Sequence, residues 1–109
     1  MLSDVLLELE QLLRKNQQHY FADMTKQARE THAKNPDDFR KLMTSVDWWG
    51  GSGALWDMNL GYATGDDEAG QQFMRLIVRL VEKLDSEGFA TERSRSIAEI
   101  FREWLSRSP

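Results

Sequence analysis

The chain has no cysteine among its 109 residues, which excludes a disulfide framework, a thiolate metal site and a cysteine nucleophile and is compatible with a reducing compartment. It also lacks any apolar run near the roughly 18 residues of a membrane span, and Met1-Leu2-Ser3-Asp4 carries no basic stretch ahead of an apolar one. No membrane partner and a cytoplasmic location are therefore expected. Basic charge is missing from one whole stretch: between Lys41 and Arg75 there is no Lys or Arg, while Asp47, Asp57, Asp66, Asp67 and Glu68 all fall there. The flanks are nearly balanced, with seven basic and seven acidic side chains over residues 1–41 and seven and six over residues 75–109. The net charge of −4 thus comes from the middle, which argues against nucleic-acid backbones as a partner, since those bind clustered Lys and Arg.

Hydrophobic residues make up 40% and charged residues 29%, enough apolar area for a packed interior and too balanced a charge for a disordered chain. A domain of this length buries roughly 65% of its unfolded surface in one core. No internal repeat, low-complexity tract or long linker divides residues 1–109, so a single helical domain is expected.

Apolar spacing predicts the helices. Val5, Leu6, Leu9, Leu12 and Leu13 recur at three- and four-residue intervals after a capping Ser3. The polar run Arg14 to Gln18 predicts a break near Asn16. A second stripe runs through Tyr20, Met24, Ala28 and Thr31 and ends near Ala33, because Pro36 cannot continue the hydrogen-bond ladder. Asn35-Pro36-Asp37-Asp38 then starts a third helix with a cap, a proline at the first position and carboxylates facing the helix dipole. Phe39, Leu42, Met43 and Val46 supply its buried face. Thr64 to Glu68 offers another start, and Phe73, Leu76, Ile77, Leu80, Val81 and Leu84 trace the strongest stripe, closed by Gly88. Thr91 or Ser94 begins the last helix, with Ile97, Phe101, Trp104 and Leu105 inward. No segment alternates like a strand. The expectation is an all-α, irregular bundle of about five helices, with a Gly/Trp-rich loop over 47–57 between helices three and four.

Catalytic signals are weak. His19 and Asp23 are four apart, but His32 is thirteen residues away and no H-x-x-x-H or E-x-x-H pair exists. A metal-dependent hydrolase using His19, Asp23 and the carboxylates of the middle stretch is the enzymatic alternative, and an exposed polar pair is the simpler reading of His19 and Asp23. Gly51-Ser52-Gly53 is no nucleophile elbow, because no strand precedes it. The glycines also lack the following Gly-Lys of a phosphate loop, and the flanking acids would repel phosphate. Asp66-Asp67-Glu68 reads as helix capping before it reads as a cation site. No enzyme activity, cofactor or metal is expected.

The tryptophans carry more. Trp48, Trp49 and Trp56 fall within nine residues, beside Asp47 and Asp57. Indoles are enriched at binding hot spots, and carboxylates steer a basic partner. The competing reading is that the loop folds back and plugs one end of the bundle; adjacent Trp48 and Trp49 are not both expected to point inward, which leaves one for a partner. Asp47, Trp48, Trp49, Trp56, Asp57 and Asp66 are thus the candidate contact residues.

Leu6-Leu7-Glu8-Leu9-Glu10-Gln11-Leu12-Leu13-Arg14, His19-Tyr20-Phe21 and Trp49-Gly50-Gly51-Ser52-Gly53-Ala54-Leu55-Trp56-Asp57 together resemble a family of small bacterial all-helical proteins of unknown function. Its signature is an aromatic residue, Gly-Gly-x-Gly-small, and an aspartate three residues later. The pattern spans residues 5 to 85, departing from the family in its Trp-Trp pair and in Ala54 where a serine is usual. The resemblance implies an immunity protein of a bacterial toxin system, a non-enzymatic binding module that neutralises a cognate toxin, and the carboxylates of the middle stretch point to a basic toxin domain. On that reading Trp48→Ala or Asp57→Ala weakens the complex without unfolding the protein. A homodimer or larger homo-oligomer that buries the tryptophans against a second copy is the structural alternative.

Overall fold

The computed structural model describes residues 1–51, 53–58, 60, 65 and 67–107. Six helices lie in this part: α1 (Leu2–Lys15), α2 (His19–Lys34), α3 (Pro36–Met43), α4 (Val46–Trp49), α5 (Asp67–Ser86) and α6 (Glu92–Arg107). No strand occurs among the described residues. The chain is an all-α globule with a radius of gyration of 13.0 Å, the size expected of one compact body of this length.

The stripes of α1 and α5 build the centre. Val5, Leu6, Leu9, Leu12 and Leu13 are all buried, as are Phe73, Leu76, Ile77, Leu80, Val81 and Leu84. α1 packs against both α2 and α5, and α5 against α6. Ser3, the expected cap, lies inside α1: the buried Leu2 joins the apolar stripe and starts the helix one residue earlier. Helix α1 ends at Asn16, whose Nδ2 donates to the Leu12 carbonyl at 2.8 Å, and the chain turns through Gln17 at φ 61°. The expected cap of α5 at Thr64 lies outside the described residues.

α2 meets α1 through a different face from the one its larger residues suggest. Tyr20 is exposed, and the buried residues are Ala22, Thr25 and Ala28. The leucines of α1 already fill the space between the helices, so α2 approaches through small side chains. Thr25 satisfies its hydroxyl by donating to the Phe21 carbonyl at 2.8 Å.

Asn35 ends α2 and caps α3, its Oδ1 accepting from the Asp37 and Asp38 amides at 3.1 and 3.3 Å. Phe39 and Met43 of α3 are buried and Leu42 is half-buried. Val46, expected in the same apolar face, is exposed and opens α4 instead. At the other end of α5, Gly88 turns the chain at φ 81°, and the Phe89 amide reaches back to the Leu84 carbonyl at 2.8 Å. Phe89 then meets Phe39 edge-on at 4.9 Å, which closes that end of the core. Thr91 and Ser94 both serve the start of α6: the Thr91 amide donates to Ser94 Oγ at 2.9 Å and the Ser94 amide to Thr91 Oγ1 at 3.1 Å. Ile97 and Phe101 are buried, whereas Trp104, expected inward, is half exposed. Phe101 takes the interior position and Trp104 lies beside its ring, with centroids 5.7 Å apart.

Candidate functional site

The Gly/Trp segment is partly helical. Val46 to Trp49 form one turn, and the loop proper begins at Gly50, whose amide donates to the Val46 carbonyl at 2.9 Å. A Cβ at Gly50 would lie 2.5 Å from that same oxygen, so only glycine fits. Gly53 sits at φ 91°, a conformation that costs other residues strain. The chain then doubles back, with the Leu55 amide on the Asp47 carbonyl at 2.8 Å and the Trp56 amide on the Trp48 carbonyl at 3.3 Å. Leu55 is fully buried. Gly50 and Gly53 of the motif are thus accounted for by the geometry of a tight return over a helical turn.

That return is fastened by α6. Arg93 Nε donates to the Trp49 carbonyl at 2.9 Å and its Nη2 to the Gly50 carbonyl at 3.4 Å. Trp56 Nε1 donates to the same Gly50 carbonyl, and the Arg93 guanidinium lies over the Trp56 ring.

The six sequence candidates separate into groups. Trp48 and Trp49 are 2% and 3% exposed, so the expectation that one of the pair is free for a partner does not hold. Successive helical positions diverge by about 100°, and α4 packs against both α3 and α6, so both indoles find a place in the core. Trp49 Nε1 is buried with no partner among the described residues. Asp47 is exposed. Asp66 lies outside the described residues. Trp56, half-buried, and Asp57, exposed, remain at the surface.

Trp56 and Asp57 line an opening of about 500 Å³ between the loop, α5 and α6, to which Asp47 does not contribute. Its apolar wall is Trp56, Met58, Phe73, Met74, Phe101 and Trp104, and its polar groups include Asp57, Gln71 and Asp67. Trp56, Phe101 and Trp104 form a row, with centroids 6.2 and 5.7 Å apart. Asp57 and Asp67 are exposed, and neither has an ion-pair partner among the described residues. Met58, Met74, Phe101 and Trp104 were not sequence candidates for a site. Trp104, the fourth tryptophan, was the one readable signal among them.

The His19 and Asp23 alternative finds little geometry. The Asp23 carboxylate takes the Arg14 guanidinium at 3.0 Å, and His19 is exposed. Among the described residues no three His, Asp or Glu side chains converge as a metal site would require. No described helix is long and apolar enough to cross a membrane. No family model, curated protein or solved structure matches the chain.

Proposed function

We propose that the protein is a non-enzymatic protein-binding module, in the specific form of an immunity protein that occludes a basic toxin domain in the cytoplasm. The observation that carries this reading is the opening beside Trp56: an aromatic and methionine wall bordered by two carboxylates with no ion-pair partner among the described residues. Apolar anchors surrounded by complementary charge are the composition of binding hot spots. The flanking sequence supports it, since no Lys or Arg lies between Lys41 and Arg75 to neutralise the acids. Asp47, exposed just ahead of the loop, adds to the field that steers a basic partner.

The test is affinity purification of the tagged protein from its host, followed by binding measurements on any stoichiometric partner in purified form. Trp104→Ala and Asp57→Ala each weaken that complex by about 1 kcal/mol or more, the hot-spot scale, with helicity unchanged. Recovery of the protein alone, or a partner indifferent to both changes, overturns the reading. Self-association is the second reading, favoured by the exposure of Trp104 and Ile100 on one helix. A dimer in light scattering that Trp104→Ala dissociates would establish it in place of the first.

A further inference from the structure

Resting on the protein-binding reading, we infer that the opening beside Trp56 is an arginine pocket, filled by one guanidinium side chain projecting from the partner. Three features of the opening select this occupant. Its wall is aromatic, with the half-buried Trp56 and the half-exposed Trp104 each beside the buried Phe101 ring, and a flat guanidinium stacks on an indole face. Met58 and Met74 add soft apolar surface, suited to the three methylenes of the arginine stem. Asp57 and Asp67 supply negative charge at the same opening, with no cation paired to either among the described residues.

The molecule contains an internal example of the same chemistry. Arg93 lies 5.2 Å from the centre of the Trp56 ring and directs its N–H groups at carbonyl oxygens. Arg93 itself does not line the opening; it braces the loop and leaves the cavity to an external group. A lysine satisfies these features less well, because its ammonium is compact and strongly hydrated and cannot stack as a plane. A purely apolar side chain would leave both carboxylates without a role.

Capped pentapeptides of sequence Gly-Leu-Arg-Leu-Gly, and analogues with lysine, citrulline or norleucine at the centre, are titrated into the intact protein while the tryptophan indole N–H resonances are followed. The arginine peptide shifts the Trp56 and Trp104 resonances saturably and leaves Trp48 and Trp49 in place. Citrulline, isosteric but neutral, binds at least tenfold more weakly. The double variant Asp57→Asn, Asp67→Asn, with unchanged helicity, loses at least tenfold for arginine and nothing for norleucine. The arginine response disappears at about 1 M salt, where the Debye length is about 3 Å. Equal binding of citrulline or norleucine overturns the inference, as does the absence of shifts at the highest soluble arginine-peptide concentration. If the peptide is silent while a purified partner still binds through Trp104, the arginine pocket falls and the protein-binding reading stands.

Discussion

The Arg93 guanidinium lies over the Trp56 indole, its carbon 5.2 Å from the ring centre, and both side chains donate to the carbonyl of Gly50. One oxygen thus receives a side chain from the last helix and a side chain from the loop. The position of Trp56 at the opening depends on this shared acceptor.

Replacing Arg93 by alanine removes two hydrogen bonds to backbone carbonyls and the contact with the indole. The expected cost is about 1–2 kcal/mol, reduced from the buried value because the side chain is exposed. Arg93→Lys recovers less than half, since an ammonium cannot both stack and fork. Urea denaturation of the three proteins checks this.

The glycines are not equivalent. Gly50→Ala places a methyl 2.5 Å from the Val46 oxygen and destabilises by about 1–3 kcal/mol through forced backbone movement. Gly53→Ala, at φ 91°, costs about 1 kcal/mol. Gly51, whose added Cβ meets nothing within 4 Å, tolerates alanine within about 0.5 kcal/mol. Thermal melts should rank the three in that order.

Trp48→Ala damages the fold before it damages any interface. Truncating an indole that is 2% exposed costs about 3–5 kcal/mol, a large share of the roughly 5–15 kcal/mol that holds a domain together. Calorimetry should show a depressed Tm for Trp48→Ala. Trp104→Ala, half exposed, should melt close to the parent.

Glu10 joins α1 to α2 by accepting from Arg29 at 2.8 Å, and accepts within α1 from Arg14 at 3.5 Å. Its removal leaves the Arg29 head short of its acceptor, and Arg29 Nε is already buried without one. Glu10→Ala is expected to lose about 1–3 kcal/mol, and the double change Glu10→Ala, Arg29→Met less than the sum of the single ones. A double-mutant cycle in urea measures it.

The stripes of α1 and α5, and Ile97 and Phe101 of α6 but not its Trp104, are legible because their spacing repeats every three to four residues, and Asn35-Pro36 and Gly88 mark helix ends through local chemistry that needs no tertiary information. α2 was misread at Tyr20, because which face is buried depends on the leucines of α1 and not on α2's own hydrophobicity. The single turn of α4 was hidden by the adjacent glycines: four residues are too few to show a period. The opening was legible only in part. Trp56 and Asp57 stood out in a tryptophan-rich segment, but the wall is completed by Phe73, Met74, Phe101 and Trp104 from two other helices, and no sequence pattern links stretches that only folding brings together.

The buried pair at the loop has an optical consequence. Trp48 and Trp49 lie with ring centres 6.0 Å apart and planes inclined by 41°, close enough for their strong ultraviolet transitions to mix and skewed enough for the mixed states to rotate polarised light in opposite senses. The chain carries its own chiral chromophore dimer, whose paired circular-dichroism bands exist only while α4 is wound and the return over it is closed.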